Sequence, residues 1–143
     1  MKEVIKALES ITANTYALAV KTQNYHWNVT GPHFKPLHEL FGAQYEEMSL
    51  AIDELAERIR MLGSKVEASF EAFAKLSVIK NGNKNLTSEK MVKDLADSQK
   101  ALTLMLKNGI EIAQKNGDEA TADILITRLE AHDKMGWMLL ASL

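Results

Sequence analysis

The chain has 143 residues, 46% of them apolar and 25% charged, with seven glycines, two prolines and a formal charge of −2; this balance specifies one globular domain over residues 1–143 and excludes a disordered chain. With no cysteine, disulfides, thiol catalysis and thiolate zinc sites are excluded, and a bound metal falls to His, Asp, Glu and carbonyl oxygens. DNA binding rests largely on neutralising phosphates, yet Met1 to Leu8 offers only Lys2 and Lys6 and Ala141-Ser142-Leu143 offers no cation, so direct DNA binding is not expected.

Glu3 and Glu9 interrupt the first apolar stretch, no run is long enough to span a bilayer, and a cytoplasmic location without a membrane partner is the expectation. From Val4, the positions Leu8, Ile11, Thr15, Leu18, Thr22 and Tyr25 recur at steps of three and four, which predicts an amphipathic helix from about Lys2 to Trp27. Thr30-Gly31-Pro32 ends it, and Pro36 suits the first turn of a second helix. Leu37, Leu40, Phe41, Met48, Ile52, Leu55, Ile59 and Leu62 carry that helix to Gly63. Residues 64–86 mix short apolar patches with the turn-like run Asn81 to Asn85, which predicts a connection holding one short helix. Thr87 or Ser88 caps a helix bearing Met91, Leu95, Leu102, Met105 and Ile112, closed by Asn116-Gly117. Asp118 caps the last, which bears Ala122, Leu125, Leu129, Leu139 and Leu140. The order gives an all-α, four-helix bundle with one long crossover, as in ferritin-like folds.

Asp53 and Glu57 lie four residues apart on the second helix, where they either grip one hard cation or form a solvated acidic face beside Arg58 and Arg60. His26 and His38 are likewise either ligands or hydrogen-bonded helix-end residues. No Glu stands three residues before any of the four histidines. The Glu-x-x-His pairs of a di-iron bundle are therefore absent, and a centre contained in one bundle is not expected.

Taken together, Tyr25-His26-Trp27-Asn28-Val29-Thr30-Gly31-Pro32, Phe34-Lys35-Pro36-Leu37-His38-Glu39-Leu40-Phe41 and Asp53-Glu54-Leu55-Ala56-Glu57-Arg58-Ile59-Arg60 resemble the iron-binding signature of the Dps family, the ferritin-like miniferritins. The resemblance extends over nearly the whole chain, through Trp137-Met138-Leu139. It implies a homo-oligomeric shell, a dodecamer, that oxidises Fe(II), preferentially with hydrogen peroxide, and stores ferric iron as protection against oxidative damage. By the same resemblance the metal ligands are His26 and His38 of one subunit with Asp53 and Glu57 of its two-fold mate. Trp27 would intercept reactive oxidants, or simply pack at the dimer contact. Asp118 and Asp123 match the acids that line an entry pore, with Thr127 where some members carry another; capping by Asp118 is an alternative explanation.

The division between subunits has a physical reading. His38 and Glu57 are nineteen residues apart on one helix, about 28 Å along its axis, and no ion bridges that. Two copies of the helix packed antiparallel across an axis near residues 47 and 48 bring 38 against 57 and 42 against 53, two pairs with one midpoint, as an isologous contact requires. The sequence departs from the family at Gly42, where an acidic ligand is usual. Its loss predicts weaker metal binding or a water in its place, a poor substitute in Glu46, and, as the alternative function, a shell-forming protective or DNA-associated protein with weak or no ferroxidase activity.

Overall fold

A computed structural model describes residues 1–143 as five helices without strands: α1 (Lys2–Asn28), α2 (Phe34–Met61), α3 (Phe70–Leu76), α4 (Ser88–Lys115) and α5 (Glu119–Leu140). The ends obey local chemistry. Pro36 sits in the first turn of α2, where its missing N–H would have had no partner. Thr87 accepts from the Lys90 amide and Asp118 from the Thr121 amide, and α2 and α4 stop where Gly63 and Gly117 take φ of 93° and 72°. The connection holds the expected short helix, α3, capped by Ser69 on the Ala72 amide.

The short loops 29–33 and 116–118 fold α1–α2 and α4–α5 into two antiparallel hairpins, and α1 packs against α4 to join them. Residues 65–67 lie beside Glu9 and Thr12, residues 76–79 bond to Asn14, and Asn83 bonds to Tyr25. The connection therefore runs the length of α1 and delivers the chain to the end where α2 began. This is the crossover of a ferritin-like bundle, with α2 and α4 parallel.

Asn14, fully buried, is the middle fastening. Its Oδ1 accepts from the Val78 and Ile79 amides at 2.9 and 3.3 Å, while its Nδ2 donates to the Ser10 carbonyl at 2.9 Å. Asn14→Leu fills the same space but strands those amides, so it should cost about 1–3 kcal/mol. Denaturant unfolding reads the loss, and limited proteolysis should find the new weakness between residues 76 and 83.

The core is continuous, with Leu8, Leu18, Tyr25, Phe41, Met48, Leu55, Leu102 and Leu125 fully buried. The last helix differs from the sequence expectation: its inward stripe is Thr121, Ala122, Leu125, Arg128, His132, Met135 and Leu139, while Leu140 is 55% exposed and Leu129 only partly buried. Counting apolar letters hid a stripe that holds its period with two ionisable residues, Arg128 and His132, in it. They are tolerated because they are paired: the Arg128 guanidinium forks onto Glu47 at 2.6 and 2.8 Å and donates to His132 Nε2 at 2.8 Å. His132 Nδ1 then donates to Gln99 Oε1 at 2.7 Å.

Burial, and then the charge of Arg128, hold the His132 pKa down at about 3 against an ordinary 6.5. The unfolded chain therefore takes up a proton between those values that the folded chain refuses. Stability from this group is complete above pH 6.5 and is lost as pH falls toward 3. In His132→Gln, which removes the titrating group, the melting temperature should fall less steeply with acidification through that window; an unchanged slope would contradict the assignment.

Candidate metal centre

His26 lies near the C-terminal end of α1, where the last carbonyls lack helical partners, and His38 lies in the first turns of α2. The intervening turn brings them together reciprocally. His26 Nδ1 meets the His38 carbonyl oxygen at 2.6 Å, and His38 Nδ1 meets the His26 carbonyl oxygen at 2.6 Å. A carbonyl only accepts, so each Nδ1 carries its proton and donates; when neutral, each ring keeps its lone pair on Nε2. The rings stack with centroids 4.0 Å apart and planes 13° apart, and Phe34 stacks on the outer face of His38 at 5.0 Å. Both histidines are half-buried.

Gly42, one turn after His38, lies directly beneath the His26 ring. A Cβ there would stand 2.8 Å from Cε1 and 3.0 Å from Nδ1 of that imidazole. The contact follows from the hydrogen bond: a helical carbonyl points along the axis toward the residue four positions on, so a ring that reaches the residue 38 carbonyl crosses the surface at residue 42. The space over Gly42 is occupied by the ring of the neighbouring histidine.

Asp53 and Glu57 are exposed further along α2. Asp53, as a hydrogen-bond partner and then as a like charge, pushes the Glu57 carboxyl above its ordinary range. A groove of about 430 Å³ between α1 and α2 is lined by Tyr16, Gln23, Tyr45, Ser49 and Asp53 itself. No three His, Asp or Glu side chains converge within the chain. The histidine pair and the acid pair are separate halves of one face, on which Glu46, Ser49 and Leu50 are also exposed.

Trp27, next to His26, is 66% exposed. Asp118 and Asp123 have different surroundings. The Asp118 side chain is buried; besides capping α5 it accepts from the Thr121 hydroxyl at 2.6 Å and from Arg58 at 2.9 Å. Burial raises its pKa, but the Thr121 hydroxyl and amide and the Arg58 charge outweigh that and hold the carboxyl below the ordinary range. Asp123 and Thr127 are exposed on the flank of α5. The reciprocal histidine bonds, the contact of the His26 ring with Gly42 and the Arg128–His132 network escaped the sequence reading. Only the last left a signal, in polar residues at 128 and 132 in step with Leu125 and Leu139.

Comparison with known proteins covers the whole chain. The Ferritin family, described as a ferritin-like domain, matches residues 5–143. The DNA protection during starvation protein 2 of Bacillus anthracis is 38% identical over 142 residues, 99% of this chain and 97% of the relative. General stress protein 20U of Bacillus subtilis is 37% identical, over 99% of this chain and 98% of the relative. Among solved structures, Dps from Staphylococcus aureus superposes with a TM-score of 0.97 at 34% identity, covering 100% of this chain and 96% of that one. A Dps protein from Vibrio cholerae, described as a member of a broad superfamily of ferritin-like diiron-carboxylate proteins, has a TM-score of 0.94 at 31% identity, covering 98% of this chain and 88% of that one.

Proposed function

The chain belongs to the Dps family of ferritin-like proteins, and from that premise we propose that it is a miniferritin whose substrate is Fe(II), oxidised preferentially by hydrogen peroxide and stored as ferric iron inside a homo-oligomeric shell, a dodecamer. The observation that carries this reading is the reciprocal histidine pair, which fixes the Nδ1 protons on backbone carbonyls and leaves both Nε2 atoms for a metal. His26 and His38 supply imidazole nitrogen, which suits Fe(II), and Asp53 and Glu57 of the two-fold mate supply carboxylate oxygen, which suits the harder Fe(III) product. Joining the two halves requires a second copy of α2 to lie antiparallel on the first. Along that face of α2, Glu46, Ser49, Leu50, Asp53 and Glu57 are exposed, Leu50 to 77%.

The chain's own residues divide the work. The two carboxylates crowd like charge that a cation relieves, the histidines orient nitrogen lone pairs, and Trp27 offers an oxidisable indole beside His26 to surplus oxidant. Of the acids proposed for an entry pore, Asp123 presents a free carboxylate, whereas Asp118 already bonds Arg58 and Thr121. No helix is long and apolar enough to cross a membrane, and the location proposed is the cytoplasm. Direct DNA contact is not proposed; a gel shift at moderate salt that retained DNA would overturn that.

A second reading is favoured by Gly42: with one carboxylate fewer, the protein keeps the protective shell and turns iron over slowly. Anaerobic mixing with Fe(II) followed by hydrogen peroxide separates the two. Oxidation well above the protein-free rate supports the ferroxidase, and oxidation at the protein-free rate supports the shell.

A further inference from the structure

The sequence contains three Asn-Gly pairs, Asn81-Gly82, Asn108-Gly109 and Asn116-Gly117. In each, the glycine has no side chain to shield its nitrogen from the carboxamide before it. The fold treats the three differently. Asn108 and Gly109 lie inside α4, where the Gly109 amide belongs to the helical ladder and the residue is buried against Ile11 and Leu125. At Asn116 both groups are engaged: its Nδ2 donates to the Ile112 carbonyl at 2.9 Å, and the Gly117 N–H donates to the Gln114 carbonyl at 3.0 Å. At Asn81 neither is. It stands exposed in the irregular run before α4, and neither its carboxamide nor the Gly82 N–H has a hydrogen-bond partner in the protein.

We propose that Asn81 is a site of spontaneous covalent modification, at which the chain converts its own asparagine to aspartate and isoaspartate and thereby loosens the crossover. The Gly82 nitrogen attacks Asn81 Cγ. The bond from Cγ to the carboxamide nitrogen breaks, and ammonia leaves with the proton that the Gly82 nitrogen gives up. Water then opens the cyclic imide. Cleavage at Cγ restores the normal chain with aspartate at position 81, whereas cleavage at the backbone carbonyl gives isoaspartate, in which the chain runs through the former side-chain methylene. That added methylene falls where there is no slack. Gly82 packs so closely on α1 that a Cβ there would stand 3.1 Å from Lys21 Cγ and 3.1 and 3.2 Å from Tyr25 Cε1 and Cζ. The Asn83 amide donates to the Tyr25 hydroxyl oxygen at 3.1 Å, and that hydroxyl donates to Asp94 on α4 at 2.5 Å. Isoaspartate displaces Gly82 and Asn83 from this latch, while aspartate, which leaves the backbone length unchanged, keeps it.

The test ages the assembled protein in heavy-oxygen water at mildly alkaline pH and maps its peptides by mass spectrometry, with fragmentation that separates aspartate from isoaspartate. A parallel sample ages in urea. In the folded protein Asn81 should take up heavy oxygen about tenfold faster than Asn108 or Asn116, or more, because those two must first open locally. In urea the three should react at similar rates. Equal rates in the folded protein, or no uptake at Asn81, would overturn the site, and a preference for Asn81 that persisted in urea would overturn the part played by the fold. A second arm follows limited proteolysis at residues 80–86, since cleavage reads local loosening of an exposed segment. In aged wild type, cleavage should rise with isoaspartate content; in aged Asn81→Gln, whose longer side chain closes the ring far more slowly, and in fresh Asn81→Asp it should stay at the fresh wild-type level. Cleavage independent of isoaspartate content, or raised equally in fresh Asn81→Asp, would overturn the loosening while leaving the modification.

Discussion

Mixed assemblies built from His38→Ala and Glu57→Ala subunits should oxidise Fe(II) with peroxide although neither variant does so alone. Each parent assembly destroys every centre, one by removing a nitrogen and the other by removing a carboxylate. A dimer of one of each restores one of its two centres, where the intact histidine of the Glu57→Ala subunit meets the intact acid of its mate. Random pairing makes half of the dimers mixed, so roughly a quarter of the wild-type centres return, a consequence of the two-fold relation alone. Stopped-flow absorbance under anaerobic conditions reads the amplitude. Absence of recovery in assemblies that mass spectrometry shows to be mixed would place the whole centre within one chain. The separation of the histidine and acid halves on α2 argues against that outcome.

The largest expected loss of stability lies away from the centre, at Arg128. Its side chain is 6% exposed and joins α5 to Glu47 on α2 and, through His132, to Gln99 on α4. Breaking a buried pair from one side typically costs 3–5 kcal/mol. Glu47 is 42% exposed and can turn to water, which puts Arg128→Met at the lower end, about 3 kcal/mol. Melting should fall on the order of 10 °C. Adding Glu47→Leu should recover part of the loss, because an apolar replacement of the whole pair removes the stranded charge. A melt within a degree or so of wild type for Arg128→Met would mean that the network contributes little.

The backbone plan was legible because each helix carries its own stop signals: Thr87 and Asp118 cap as their side chains suggest, and Pro36 stands in a first turn. The crossover was legible as a length, but its course was not, since the buried Asn14 that fastens it looks in the sequence like any polar residue of an amphipathic helix. The histidines were legible as candidates. Their mutual bonds were not, because these join side chains to carbonyls twelve residues apart across a turn, and no spacing rule encodes that. Gly42 shows the difference most sharply. Read as a sequence it is a missing acid; in the fold it is space taken by His26.

The turn between α1 and α2 carries a consequence for what variation the protein tolerates. Thr30 to His33 all face water, and surface loops of this kind normally accept insertions and deletions. This one closes a ring, because the helices on either side are cross-tied by two bonds whose donors are the candidate ligands themselves. One residue more or fewer would rotate α2 against α1 and turn both imidazoles off their carbonyls. The composition of the loop is free to drift, while its length is held as firmly as the identity of a buried residue.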